Sequence, residues 1–399
     1  MTANLTWNTY TLEWLPDKRY DTQKECYVHR LLFGTSTDGS ETNHLMITEV
    51  CLDEQPAQVD MGKWDDSAEE VGGYNRGNSG ISIKSETDPQ GQTRDVVKMK
   101  ILHDGPVNRA RYCPQNPEII VSKGATSSDL LVFDCRKQFH APIETLDKVC
   151  KADLRLKNGR GDGEGFAVCW SHFQEGLVAS SGSDGMLDLW DLNGVTSWNA
   201  VGDRRPVNTL KGHTGMIEDV AFHFQDQHAI ATASDDKTGA IWDFRANGPM
   251  LRLQGHADEV NAVSFNPWNP VVLALGSSDK SSTIWDMRNP TAPVHRLSFH
   301  TEAVYQVQFS PFHETILATG GNDGRVLLWD LAKIPSNPNN TDIPPELLFI
   351  HTHGYHTPQS PVTDLSWNCS TGTEWVMASA TEDNQLQIWR MADLLYRQW

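Results

Sequence analysis

The sequence has no C-x-x-C pair, no block of five or more Lys or Arg, and no window approaching the ~18 apolar residues that a membrane span needs. Its seven cysteines (Cys26, Cys51, Cys113, Cys135, Cys150, Cys169 and Cys369) are scattered and odd in number. That excludes neither thiol chemistry nor burial, but it speaks against a disulfide framework or a zinc site and fits reduced thiols inside a cell. The N-terminal "MTANLTWNTYTLEWL" lacks the basic region and apolar stretch of a secretory signal, so a soluble, non-secreted chain is expected. Positive charge is scarce as well: 33 basic against 52 acidic side chains leave a formal net charge of −19 at pH 7. A nucleic-acid backbone is a poor main ligand for such a surface, because phosphate binding needs a cationic face. A basic partner fits, although acidity kept for solubility would give the same count. Also missing are a Gly-rich phosphate loop, a nucleophile motif and a metal-ligand set, so no enzyme activity, cofactor or metal is expected. The one histidine cluster, "HTHGYH" (His351, His353, His356), is placed in a polar turn before a strand, where a metal is not expected.

Tryptophan, by contrast, is abundant, with 14 in 399 residues, and its spacing is regular. Phe133-Asp134, Trp190-Asp191, Trp242-Asp243, Trp285-Asp286, Trp329-Asp330 and Trp389-Arg390 close six similar units, with steps of 57, 52, 43, 44 and 60 residues between the aromatics. The two shortest steps match the ~40–45 residues of a four-stranded propeller blade, and the others imply insertions. His213, His256 and His300 precede the central strands, and Asp184, Asp236, Asp279, Asp323 and Asp383 mark tight turns before the last strand of each signature. A histidine near an aspartate suggests a catalytic dyad, but a trio such as His213, Asp236 and Trp242 recurs unit after unit. A buried hydrogen-bond network that fixes each blade is therefore expected.

Blades leave open edges unless the ring closes. The last unit lacks an outer strand, and "YTLEWL" (Tyr10 to Leu15) is the expected donor. The strands starting near Tyr27, Asn43 and Asp95 then make an atypical first blade, about 27–102, with a polar, glycine-rich insertion over 60–93. The expectation is an all-β fold, one seven-bladed propeller over 1–399 closed by an N-terminal strand. A loop insertion over 334–345 interrupts the last repeat step, and a short C-terminal helix follows Trp389.

In every signature unit an aromatic ends the first strand: Tyr112, Trp170, Phe222, Phe265, Phe309 and Trp367. Four residues earlier, at one mouth of the central channel, stand Asn108, Phe166, Glu218, Asn261, Tyr305 and Thr363. Two residues before those are Pro106, Glu164, Met216, Glu259, Ala303 and Pro361. A mixture of carboxylates, amides and rings suits a cationic, flexible peptide, since carboxylates pair with Arg or Lys and rings stack on guanidinium. Strand starts that are merely exposed and free to vary would look the same.

The strings "VNRARYCPQNPEIIVSK", "SSDLLVFD", "GHTGMIEDVAFH", "EVNAVSFNP", "QVQFSPFHETILATGGNDGR", "PPELLFIH" and "TEDNQLQIWRMA" make the chain, from about Leu12 to Tyr396, resemble the retinoblastoma-binding, Msi-type WD40 histone chaperones. The resemblance implies a nuclear, partly cytoplasmic, histone-binding scaffold of chromatin assembly, deacetylase, remodelling and Polycomb-type complexes. It implies a channel-mouth site for the basic tail of histone three at Asn108, Glu164, Phe166, Glu218, Asn261, Tyr305 and Glu382. Pro106 and Ala303 stand where the family carries glutamate, with Glu302 adjacent. It also implies a side groove for the first helix of histone four, with Asp342, Pro344, Pro345, Leu347, Phe349, Ile350, Leu395 and Tyr396 at matching positions. The family's long N-terminal helix is not expected here, Leu5 and Trp7 falling near its usual end, and Asp342 is one acid where the family loop has several. A WD40 adaptor for another client, a ubiquitin-ligase substrate receptor or a ribosome-assembly factor, is the alternative.

Overall fold

Alternating apolar residues buried on both faces require that each strand be covered from two sides, and stacking sheets around an axis is one way to do it. The computed structural model describes residues 2–22, 26–52, 97–138, 152–160, 165–193, 204–246, 248–335, 343–352 and 360–391, with short strand pieces between 64 and 95. Most of the insertions over 60–93 and 334–345 lies outside the described residues, as do Glu164, Asp342, His353, His356, Leu395, Tyr396 and the expected C-terminal helix.

Seven antiparallel blades follow one another. From the axis outward, blade one is Leu12–Asp21, Cys26–Gly34, Asn43–Leu52 and Val97–His103, with Ile81–Ser82 pairing beside Cys51 and Leu52. Blade two is Val107–Cys113, Asn116–Gly124, Leu130–Asp134 and Leu154–Leu156. Blade three is Val168–Trp170, Leu177–Ser181, Met186–Asp191 and Asn208–Lys211, and blade four is Ile217–Phe222, Ala229–Ser234, Thr238–Asp243 and Pro249–Gln254. Blade five is Val260–Phe265, Val272–Ser277, Ser282–Asp286 and His295–Leu297, and blade six is Val304–Phe309, Ile316–Gly321, Arg325–Asp330 and Leu347–Thr352. Blade seven is Val362–Trp367, Val376–Thr381 and Gln385–Arg390, completed by Thr2–Asn4.

An N-terminal strand does close the ring, but it is Thr2–Asn4, paired with Gln385–Gln387, and not Tyr10–Leu15. Leu12, Trp14 and Leu15 are each only 1% exposed. Leu12 and Trp14 pack toward blade seven and Leu15 toward blade two, a two-sided cover that only the innermost place provides. Blade one therefore starts at Leu12, not near residue 27. The core is accordingly divided into seven layers, each shared by two adjacent blades, with the Trp of each third strand facing the preceding blade.

Hydrogen bonds stitch the innermost strands around the axis. Side chains of one blade accept backbone N–H groups of the next: Tyr112 N donates to Glu13 (2.9 Å), Val263 N to Asp219 (3.0 Å), Phe309 N to Ser264 (3.2 Å) and Trp367 N to Gln308 (3.2 Å). The seam between blades seven and one is closed the same way, with Leu12 N donating to Asp364 (2.8 Å) and Trp14 N to Ser366 (3.1 Å). Asp364 is 1% exposed in its side chain and also meets Arg109 and Arg111 at 3.4 and 3.3 Å.

The recurring trio is a buried relay, and it has a fourth member. In blade four His213 bonds Asp236 (2.7 Å) through Nδ1 and Thr232 Oγ1 (2.8 Å) through Nε2, and Trp242 Nε1 donates to the same hydroxyl (2.8 Å). Blade six repeats this with His300, Asp323, Thr319 and Trp329. Blade five keeps the geometry but takes its hydroxyl from Thr283, directly across the ladder from Leu275, which occupies the place of Thr232 and Thr319. Burial lowers the pKa of His213 and His256, so the relay runs through neutral imidazoles. In blade three Arg160 stands in for the histidine, reaching Asp184 at 2.6 Å and Asp188 at 3.0 Å. The glycines before His213 and His256 are required by space, because a Cβ on Gly212 or Gly255 would lie 2.8 Å from the ring of Trp242 or Trp285.

Candidate functional site

The innermost strand of each blade starts at the same end of the channel, so the residue four before its aromatic joins a ring. With Leu12–Asp21 in the innermost place, Trp14 becomes the seventh such aromatic and Tyr10 the seventh ring member, beside Asn108, Phe166, Glu218, Asn261, Tyr305 and Thr363. A cavity of about 410 Å³ opens there, lined by Tyr10, Phe166, Glu218, Asn261, Tyr305 and Thr363 from this ring. Asn108 is buried and turned aside, its amide toward the Gly165 carbonyl at 3.4 Å, and does not line the cavity.

A second set of side chains reaches the cavity from the turns after the second strands: Asp235, Ser278, Asn322 and Glu382. Each donates its backbone N–H to the carbonyl of a residue two before a ring member: Asp235 to Met216, Ser278 to Glu259, Asn322 to Ala303 and Glu382 to Pro361, at 2.8–3.0 Å. The positions of Pro106, Ala303 and Pro361 thus act through their backbone, which any residue supplies. Glu382 is expected only through the family resemblance, yet all four stand one residue before the turn aspartates Asp236, Asp279, Asp323 and Asp383, a register readable in the sequence. Glu302 does not fill the place of the acid missing at Ala303; it pairs with Lys280 at 3.2 Å on the exposed rim.

Charge and rings share the cavity. Glu218, Asp235, Glu259 and Glu382 converge on it, against one guanidinium, Arg109, which is already held by Asp364. Burial, then the neighbouring Asp235, pushes the Glu218 carboxyl up from 4.5 to about 7. Asp235 is also raised, by burial and by Glu259, and the Tyr305 phenol by burial and by Glu382, Glu259 and Glu302. Acids that resist ionisation together are ready to accept a cation, which relieves both their repulsion and their desolvation. Tyr10 and Phe166 meet edge to face at 6.4 Å, and Tyr305 is 37% exposed, so ring faces are available beside the carboxylates. The Asn261 amide is fixed by the Val304 carbonyl (2.9 Å) and Ser278 (3.1 Å).

Of the expected side groove, Pro344, Pro345, Leu347, Phe349 and Ile350 fall within the described residues. Pro344 accepts the Leu347 N–H (3.0 Å), which turns the chain into the outer strand of blade six. Leu347 and Phe349 pack inward, Phe349 against Trp389 at 5.9 Å, while Pro345 and Ile350 are exposed. His351, expected in a polar turn, lies in that strand instead, stacked on Trp389 at 4.2 Å and bonded to Gln387 at 2.8 Å. Leu5 packs between blades seven and one, and Trp7 donates to Glu41 at 2.9 Å. Among the described residues no His, Cys, Asp and Glu side chains group as metal ligands would.

Residues 1–52 match a family described as the histone-binding protein RBBP4 or a component of the CAF1 complex, and 204–243, 247–286 and 291–330 match the WD domain, G-beta repeat. A "Probable histone-binding protein rba-1" from Caenorhabditis elegans is 42% identical over 400 residues, covering 99% of this chain and 90% of that protein.

Proposed function

Because the chain belongs to the retinoblastoma-binding, Msi-type family of WD-repeat histone-binding proteins, we propose that it is a non-catalytic histone-binding chaperone subunit of nuclear chromatin complexes. The observation that carries the site assignment is the convergence of four carboxylates and three aromatic rings on one channel mouth. A histone-three tail enters there as an extended basic peptide. One Arg or Lys side chain pairs with Glu218 and Asp235, a second with Glu259 or Glu382 at the rim, and the rings of Tyr10, Phe166 and Tyr305 cover the aliphatic stems and guanidinium planes. The first helix of histone four docks on the side of blades six and seven, over Pro345 and Ile350, with Asp342, Leu395 and Tyr396 contributing from the flanking segments.

Calorimetric titration with an N-terminal histone-three peptide, a histone-four helix-one peptide and an intact histone dimer tests both parts. Heat of binding that weakens with added salt is expected for the tail peptide, because screening acts on its charge pairs. No heat with tail, helix or dimer at low salt would overturn the reading; binding of the tail but not the helix would leave the channel mouth and remove the groove.

A further inference from the structure

The opposite face of the propeller carries its own surface. Strands start at the channel mouth and end on the far side, so the turns after the innermost strands all project there. In blades three, four and five these turns read "SHFQEG", "HFQDQH" and "NPWNPV", and they expose Phe173 (46%), Phe224 (36%) and Trp268 (51%). Of ten exposed large apolar side chains among the described residues, Val207, Met250 and Val294, at the far-side starts of the outer strands of the same three blades, bring this sector to six. A clustering of that kind on an otherwise polar protein marks an interaction surface more than chance exposure does.

The aromatics are held on rigid supports. The residue that ends each innermost strand or follows it caps its turn: Ser171 accepts from Phe173 N and Gln174 N, His223 from Gln225 N and Asp226 N, and Asn266 from Trp268 N and Asn269 N, all within 3.2 Å. Adjacent turns are also joined. His172 stacks on Phe224 with ring centroids 4.4 Å apart, and His223 Nε2 donates to the Pro270 carbonyl at 2.7 Å. Rings presented on a fixed frame lose little freedom on binding, which is how aromatic anchors contribute most to an interface.

Charge selects the occupant. The three turns contain no Lys or Arg, but Glu175 and Asp226 are exposed within them. The nearest cations, Arg245 and Arg288, are each clamped by their own neighbours Asp243 and Asp286, at 2.5 and 2.7 Å. A second copy of this chain, with a net charge of −19, would meet like charge. We infer that the far face of blades three to five is a second docking surface, for a partner-protein segment presenting aliphatic side chains flanked by Arg or Lys, bound independently of the channel mouth.

The test uses the full chain labelled with 5-fluorotryptophan, the Trp268 resonance being assigned with Trp268→Phe. The peptide RRLLPLLRR is expected to shift that resonance saturably, while EELLPLLEE and a histone-three tail peptide leave it unmoved. Phe173→Ala should weaken the interaction at least tenfold. The double substitution Glu175→Lys with Asp226→Lys removes no packing and should invert the preference toward EELLPLLEE. The inference is overturned by no shift with RRLLPLLRR, by equal responses to both peptides, by unchanged affinity in Phe173→Ala, or by movement of Trp268 with the tail peptide. Sedimentation showing a dimer that Trp268→Ala abolishes would overturn it too, by giving the surface to a second copy.

Discussion

Glu218 shows how one position can serve both fold and ligand. Its carboxyl titrates near 7 instead of 4.5 because burial and Asp235 oppose its charge. A folded-state pKa above the unfolded value means that the stabilising contribution is fully present below about 4.5 and is lost as pH rises through about 7. The free protein should therefore lose thermal stability relative to Glu218→Gln as pH is raised across that window, and melting curves of the two proteins at a series of pH values check it. Binding has the opposite trend. A cationic side chain favours the ionised form, so tail affinity should rise with pH across the same window, with proton release measurable in calorimetry buffers of different ionisation enthalpy. At pH above the window, Glu218→Gln should weaken tail binding by about 1–3 kcal/mol, the range for removing one partner of a charged hydrogen bond.

Within a blade, the governing feature is the relay that joins its His, Asp, Thr and Trp. Blade five draws its hydroxyl from the third strand and blades four and six from the second, yet the donor–acceptor geometry is the same, because the two positions face each other across the ladder. What the blade requires is a hydroxyl between imidazole and indole, from either strand. Thr283→Leu removes it and leaves Trp285 Nε1 and His256 Nε2 buried without a partner, which should cost about 1–3 kcal/mol per unsatisfied group in denaturant unfolding. Adding Leu275→Thr reproduces the arrangement of blade six, where Thr319 faces Leu327, and should recover most of the loss. Failure of the double variant to recover would mean that blade five depends on the site and not on the hydroxyl.

For the molecule as a whole, stability rests on closing the ring. Two devices meet at the seam: the outer pairing of Thr2–Asn4 with the last blade, and the inner Asp364, which accepts from Leu12 N and holds Arg109 and Arg111. Asp364→Ala leaves two guanidinium groups without their shared carboxylate in the channel wall and should destabilise the fold by about 3–5 kcal/mol in equilibrium unfolding. Deleting residues 1–5 acts differently. It bares the edge of Gln385–Arg390 while leaving the inner seam intact, so the melting midpoint should fall and concentration-dependent association should appear in sedimentation, as an unpaired edge strand recruits another chain.

The repeat is legible along the chain. Indole, aspartate and imidazole recur at fixed offsets because every blade solves the same burial problem with local hydrogen bonds, and six of the seven ring positions follow by counting from the strand-ending aromatics. The folded ring settles the places where identical local patterns have different neighbours. "YTLEWL" alternates like any strand, inner or outer, and only its two-sided burial between blades seven and two puts it at the axis and Tyr10 into the ring. Asn108 shares its register with Phe166 and Glu218, yet a carbonyl of the adjacent blade turns it away from the cavity. Asp235, Ser278 and Asn322 reach the mouth only because the turn backbone docks on the next strand start. Period and spacing are properties of a segment and can be read from residue order; which face is covered, and by what, is a property of the closed ring.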